Sequence, residues 1–184
     1  ATVRVAGMGY AVPGTVIAVG VLIPFAWLDN RVDALAMAWF DTSTGLLLSG
    51  TLAALLFAYV VRFLSVSLQS VESGLARIRP ALDESARTLG ASGFTTLRRV
   101  HLPILRGSLL TALLLVFVDV LKELPATLIL RPFNVNTLAV RTYELASDER
   151  LVDAATPALA IVLIGLLPVI LLVRALLVGE TDRG

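Results

Sequence analysis

The chain has 184 residues, of which 57% are hydrophobic and 16% are charged, and its mean hydropathy is +0.88. An average soluble domain is about 45–50% apolar and about 25% charged, so this composition predicts a membrane protein. The formal net charge of +1 gives no attraction for nucleic acid. The absence of cysteine and the presence of a single histidine, His101, exclude disulfides and cysteine or multi-histidine metal sites.

Four apolar stretches are long enough to cross a bilayer, which takes about 20 helical residues. We predict spans at residues 5–28, at residues 42–61, from about Gly107 onward, and at residues 154–173. Pro24 and Pro168 predict local distortions in the first and last of these spans. Between the first two spans, residues 29–41 carry four charges and predict an interfacial loop.

The distribution of arginine predicts which ends of the spans face the cytoplasm. Residues 62–106 hold seven arginines, so the positive-inside rule places this connection in the cytoplasm. Ten arginines then fall inside and four outside. We expect one transmembrane domain over residues 1–184 with a cytoplasmic loop at 62–106. Because the chain begins at Ala1 without a signal peptide, we also expect it to be the C-terminal portion of a longer protein.

The third span is unusual because charged residues lie in its outer half. Asp119, Lys122 and Glu123 have i, i+3 and i+4 spacing, which predicts that they share one helix face. Ionisable residues inside a membrane are usually functional, so we predict that these three line a translocation path. The alternative is an internal salt bridge in which Lys122 neutralises an acid. Asp119 and Glu123 are also candidates for transient contacts to a hard cation, although no firm metal site is predicted.

The connection after residue 130 is polar and mixed, and we place residues 131–153 on the outer side. Residues 131–134 favour extended backbone and residues 140–155 favour a helix. We find no acid, base and nucleophile set within the spans, so no catalytic residue is predicted. His101 is expected to be a surface residue.

A polar segment, residues 83–103, lies between long apolar runs. Pro80 can begin a helix over residues 81–89, and Gly90 can adopt the left-handed conformation that ends it. Residues 94–100 predict a second short helix, ended by Pro103. Two short helices joined at residues 91–93 would form a compact knob, which suits docking better than catalysis.

The spacing within the polar segment resembles a known motif. Glu84-Ser85-Ala86 is followed after three residues by Gly90, and after nine more by Val100, one residue, and Leu102-Pro103. This is similar to the EAA loop of binding-protein-dependent ABC transporter permeases, with Ser85 and Val100 as small departures. The resemblance implies that a partner ATPase couples to the motif residues, which are Glu84, Ser85, Ala86, Gly90, Val100, Leu102 and Pro103.

The resemblance extends along the chain. Residues 119–134 and 137–150 are similar to the ferric iron branch of these permeases, and the whole chain resembles the C-terminal half of members that carry two permease units. The implied fold is an all-α, polytopic type I importer permease of the bacterial inner membrane, with about four transmembrane helices and a cytoplasmic coupling-helix loop. The implied cargo is ferric iron. Thiamine, a polyamine or an oxyanion are alternative cargoes, and a non-transport structural subunit or a membrane enzyme is an alternative class.

The resemblance also implies partners. These are an ABC ATPase subunit dimer, a periplasmic substrate-binding protein, a second permease half or copy, and the lipid bilayer, whereas nucleic acid is not expected. The sequence lacks the G-x-x-x-x-G-K-[ST] motif that holds nucleotide phosphates. We therefore expect the chain to bind no cofactor and not to be an enzyme, while ATP and Mg are used by the partner ATPase.

Overall fold

The computed structural model describes residues 11–181, and all regular structure within that range is helical. We number the α-helices in chain order, and a single π-helical turn, Leu97–His101, connects α4 to α5. The helices are α1 (Gly14–Phe40), α2 (Leu52–Leu75), α3 (Pro80–Thr88), α4 (Gly93–Thr96), α5 (Leu102–Leu121), α6 (Pro125–Leu130), α7 (Leu138–Ser147) and α8 (Leu151–Thr181).

Four helical stretches are long and apolar enough to cross a membrane. They are Gly14–Phe40, Leu52–Leu75, Gly93–Leu121 and Leu151–Leu171. The third joins α4, the π-helical turn and α5 into one continuous helix. The predicted all-α fold with about four spans is therefore confirmed, although several boundaries differ from those read in the sequence.

The first span continues well beyond its predicted end at residue 28. Helix α1 runs through Pro24 to Phe40, so the interfacial loop predicted at residues 29–41 is wrong. Charge does not end the span here, because Asp29 is buried against the segment that follows α1. Its carboxylate accepts bonds from the backbone N–H groups of Leu47, Leu48 and Ser49 at 2.7–3.2 Å. The predicted start of this span at residue 5 lies outside the described residues.

The second span lies further along the chain than predicted. Residues 42–51 form the connection, in which Gly45 and Gly50 have φ values of +63° and +69°. Helix α2 begins after Thr51, whose hydroxyl accepts a bond from the N–H of Ala53 at 3.2 Å. It ends at Leu75 rather than at residue 61, so Arg62 lies in the middle of the helix. A positive charge can stay there because a buried acid pairs with it, as described below.

The helix containing Val100 does not end at Pro103. The N–H of Leu102 bonds to the carbonyl of Leu97, which is the wider i to i+5 pattern of a π-helix. This wider turn accommodates the proline ring, which would clash within a regular α-helical turn. The predicted separate short helix at residues 94–100 is therefore wrong, because α4 continues into α5.

The connection between the last two spans is also more broken than predicted. Instead of a helix over residues 140–155, α7 ends at Ser147 and α8 begins at Leu151. Between them Glu149 takes a left-handed conformation with φ +60°. Helix α8 contains the predicted fourth span, 154–173.

Small side chains bring α1, α2 and α6 together in the best-buried part of the protein. The core of this region consists of Ile17, Ala18, Val21, Ala54, Leu55, Ala58, Ala126 and Leu130. Alanines on both α1 and α2 allow the close backbone approach that drives helix association in lipid. Helix α2 packs along α5 on another side, and α5 packs against α8.

Candidate functional site

The first part of the polar segment folds as the sequence predicts. Helix α3 begins at Pro80 and carries Asp83 in its first turn, near the positive end of the helix dipole. Gly90 ends the turn after α3 with φ +76°, a conformation that a Cβ atom disfavours. Beyond it, the hydroxyl of Ser92 accepts a bond from the N–H of Thr95 at 3.3 Å and caps the start of α4.

His101 fastens the two halves of the polar segment together. Its Nε2 atom lies 2.6 Å from Oδ1 of Asp83, so the π-helical turn is joined to the first turn of α3. The histidine side chain is partly buried by this contact. His101 is thus partly exposed at the surface, and in addition it links two elements of the polar segment.

Two large apolar side chains project from the outside of the polar segment. Leu89 is 87% exposed and Phe94 is 73% exposed, on either side of Gly90. Such exposure of bulky apolar groups on an otherwise polar element is typical of an interaction site.

The structure brings some of the motif residues together and separates others. A concave surface beside Leu89 is lined by Ser85, Ala86, Gly90 and Val100. Glu84 is exposed on α3 outside that surface, and Leu102 and Pro103 belong to the first turn of α5. Exposed apolar groups and the concave surface thus lie on one knob between α2 and α5.

Glu123 is the most buried of the predicted path residues, and its partner is Arg62. Its side chain is 6% exposed, and Oε2 lies 3.2 Å from Nε of Arg62, which is 17% exposed. The other oxygen, Oε1, accepts a bond from the N–H of Ala126 at 3.1 Å. Arg62 also donates from Nη1 to the carbonyl of Val12 at 3.2 Å, which links α2 to the segment before α1.

Gly14 makes room for this ion pair. A Cβ atom at this position would lie 2.7 Å from Oε1 of Glu123 and 2.8 Å from Nη1 of Arg62. One helical turn along α2 from Arg62, the hydroxyl of Tyr59 lies 2.5 Å from that of Thr127. Two polar contacts therefore fix the start of α6 against α2.

Asp119 and Lys122 form a separate and more exposed pair. Nζ of Lys122 lies 3.0 Å from Oδ1 of Asp119, and the lysine side chain is 62% exposed. Helix α5 ends at Leu121, so the prediction that Asp119, Lys122 and Glu123 share one helix face is wrong. Glu123 lies beyond the end of α5, and its carboxylate contacts both Arg62 on α2 and the N–H of Ala126 at the start of α6.

Arg62 is the residue of this cluster that sequence reasoning missed. Its signal in the sequence is an arginine that directly follows a long uncharged run, a pattern that also predicts the end of a span. A buried acid elsewhere in a membrane protein also requires a partner of opposite charge, and Lys122, the one lysine of the sequence, is the nearer choice along the chain.

Comparison with known proteins identifies the class of this chain. Residues 2–179 match the family described as binding-protein-dependent transport system inner membrane component. The chain belongs to this family. The predicted permease fold is thereby confirmed, and the chain is a multi-pass membrane protein.

Individual relatives of the permease carry different names. The chain is 28% identical over 145 residues to "Fe(3+)-transport system permease protein FbpB 2" of Haemophilus influenzae, which covers 79% of the chain and 29% of that protein. It is 30% identical over 157 residues to "Putative 2-aminoethylphosphonate transport system permease protein PhnV" of Salmonella typhimurium, which covers 85% of the chain and 53% of that protein. The chain thus spans about half or less of these relatives, and their names give different cargoes.

Proposed function

We propose that this permease is the translocation subunit of an ATP-driven importer, and that the polar segment is its contact with a partner ATPase. The observation that carries the proposal is the exposure of Leu89 and Phe94 on a folded knob between two candidate spans. Burial of two such side chains in a groove of a partner would contribute about 1.5–3 kcal/mol each.

The knob is built to hold its shape when a partner binds. The Asp83–His101 contact joins its two halves, and Gly90 sets the angle between α3 and α4. A preorganised surface loses little conformational entropy on association. The spacing of the EAA-like residues agrees with this role, since Ser85, Ala86, Gly90 and Val100 lie beside the exposed leucine.

The partner subunits of the proposed transporter are inferred from the family. ATP and Mg would be bound by a dimer of ATPase subunits, since the chain has no phosphate-binding glycine loop. In the proposed cycle, closure of that dimer moves the docked polar segments and tilts the spans attached to them. A substrate-binding protein would deliver cargo at the opposite, periplasmic ends, where residues 131–153 lie, and a second permease unit would complete the path across the bacterial inner membrane.

Ferric iron is the first cargo that we propose. The support comes from the name of the Haemophilus relative and from the carboxylates of Asp119 and Glu123, which suit a hard cation. Both carboxylates are engaged in ion pairs in this conformation. They would reach a passing ion only in a state in which Arg62 and Lys122 have moved away.

A phosphonate is the second candidate cargo. The Salmonella relative, whose name contains 2-aminoethylphosphonate, covers more of this chain than the Haemophilus relative and has slightly higher identity. Such a cargo carries a negative group, which favours arginine and hydroxyl partners over carboxylates.

The docking proposal is tested by two matched glycine variants. Gly90→Leu places a side chain at φ +76°, whereas Gly93→Leu adds the same side chain at the start of α4, where φ is not positive and nothing lies within 4 Å of the new Cβ. We expect Gly90→Leu to weaken co-purification of the partner ATPase and to lower uptake by at least tenfold. Gly93→Leu should retain more of the co-purified ATPase and a higher rate of uptake than Gly90→Leu. Equal retention of ATPase and of uptake by both variants would contradict the docking role.

The cargo is tested by reconstituting the permease with its ATPase and binding protein in proteoliposomes. ATP-dependent uptake of radiolabelled ferric ion is compared with uptake of radiolabelled 2-aminoethylphosphonate. The ferric proposal expects iron uptake that falls in Glu123→Gln. Uptake of the phosphonate alone would replace ferric iron by the second candidate.

A further inference from the structure

A cleft lined by both polar and apolar side chains separates α2 from α5 at the end of the bundle that carries the polar segment. Its volume is about 480 Å³, which is within the usual range for small-ligand sites. The polar side chains that line it are Gln69, Ser70, Ser73, Arg77, Ser108 and Thr111. Gln69 and Ser73 are four residues apart and lie on one face of α2, and Arg77 follows in the turn after that helix.

Gly74 and Ser108 form the closest contact beside this cleft. A Cβ atom at Gly74 would lie 2.7 Å from the Cβ of Ser108, so only glycine allows α2 and α5 to approach this closely. The hydroxyl of Ser70 also donates to the backbone carbonyl of Ser108 at 3.0 Å. These contacts fix α2 and α5 relative to each other, and with them the polar side chains on both sides of the cleft.

The charge of the lining has one sign. Arg77 contributes a guanidinium group, and no carboxylate lines the cleft among the described residues. Within the described part of the chain, the side chains of Arg77 and Thr111 have no ion-pair or hydrogen-bond partner in the protein. Glu72 lies on α2 but does not line the cleft.

We propose that this α2–α5 cleft is a binding site for a phosphate- or phosphonate-type anion, with Arg77 as its principal contact. Guanidinium groups bind such anions with two parallel hydrogen bonds, and hydroxyl and amide groups supply further donors. A bare metal cation would find no carboxylate among the described lining residues, so the site does not suit it. If the anion is a cargo, this inference rests on the proposed function. If the anion is the headgroup of a lipid, the inference does not depend on the proposed function.

Binding is measured on the full chain in nanodiscs of neutral phosphatidylcholine, with 2-aminoethylphosphonate and inorganic phosphate as probes. In a second arm, the nanodiscs contain phosphatidylglycerol, and native mass spectrometry counts the lipids that the protein retains. Saturable binding of the soluble probes identifies a free anion as the ligand. Selective retention of phosphatidylglycerol, without binding of the soluble probes, identifies a lipid headgroup.

Arg77→Gln should weaken binding by at least about tenfold in whichever arm is positive, since a charged hydrogen-bond partner is lost. Arg77→Lys should recover part of it, because the charge remains but the planar pair of donors does not. Thr111→Val removes one hydroxyl at nearly constant volume and should cost severalfold. The matched control is Arg106→Gln, which removes an exposed arginine from the same end of α5 that does not line the cleft.

The proposal is overturned if Arg77→Gln binds like Arg106→Gln, or if the wild-type chain shows no saturable binding in either arm. Neither result depends on the ATPase or on uptake. If the chain binds no anion but still docks the ATPase and takes up iron, only this inference is rejected. If it binds the anion but neither docks the ATPase nor takes up iron, only the proposed function is rejected.

Discussion

Replacing Gly74 by alanine should force α2 and α5 apart. The new Cβ atom would lie 2.4 Å from Oγ and 2.7 Å from Cβ of Ser108, and 2.8 Å from Cδ2 of Leu105. Carbon atoms in favourable contact are about 3.5–4.0 Å apart. Rotation of the serine hydroxyl relieves only the first clash, because the Cβ of Ser108 is fixed to the backbone. The two helices must therefore separate locally by about 1 Å.

The effect of Gly74→Ala on stability can be compared with that of the same substitution at a glycine with free space around it. Overpacking of this kind costs about 1–3 kcal/mol. Gly107→Ala in α5 meets nothing within 4 Å and should instead stabilise its helix by up to about 1 kcal/mol. The two variants should thus differ by about 1–4 kcal/mol in the free energy of unfolding, which is at least about fivefold in the unfolding equilibrium.

The difference is measured by denaturant or thermal unfolding of both variants in the same detergent. Hydrogen exchange adds a local readout, since separation of the helices would also break the bond from Ser70 to Ser108. If Gly74→Ala is as stable as Gly107→Ala, the close approach of α2 to α5 at this point is wrong.

Three further substitutions test contacts elsewhere in the molecule. Glu123→Gln leaves the partly buried Arg62 without its counterion, and unfolding in detergent should show a loss of about 3 kcal/mol, within the range for a broken buried pair. His101→Ala removes the contact to Asp83, so backbone amides of α3 should exchange about tenfold faster. Asp29→Asn weakens the acceptor of three backbone N–H groups and should lower stability by about 2 kcal/mol in the same unfolding assay.

Each of these substitutions has a control at an exposed position. Lys122→Gln disrupts an exposed pair and should cost less than about 1 kcal/mol. Arg98→Ala changes the same π-helical turn as His101 at an exposed residue. Asp41→Asn keeps a residue that tolerates the left-handed conformation, φ +49°, found there. Effects as large in a control as in its test variant would contradict the importance of the corresponding contact.

The features that sequence predicts well are those with local causes. A run of about 20 apolar residues specifies a membrane helix regardless of what surrounds it, so the number of candidate spans was predicted. Helix α3 and the left-handed Gly90 follow from proline at the start and glycine at the end, which also act over a few residues. The assignment of the EAA-like residues to ATPase coupling stays a prediction.

The features that sequence missed depend on distant partners. Charge at Asp29 and Arg62 marks the end of a span only if the charge faces water. Here the backbone of residues 47–49 binds Asp29, and Glu123 binds Arg62, so both helices continue past these residues. The break after Leu121 has a local cause, because Pro125 cannot continue the helix, and the carboxylate of Glu123 then binds partners on α2 and α6. Periodicity alone cannot show which of several charges will meet.

The continuous helix from Gly93 to Leu121 would move as one body if it tilts. It has 29 residues, which correspond to roughly 43 Å, with Phe94 near one end and Asp119 near the other. The tight contact between Gly74 and Ser108 lies close to its middle and would act as the fulcrum. A tilt of about 10° about that point moves the two ends by roughly 3–4 Å in opposite directions. Displacement of Phe94 at one end of this helix would therefore also displace the Asp119–Lys122 pair at the other end.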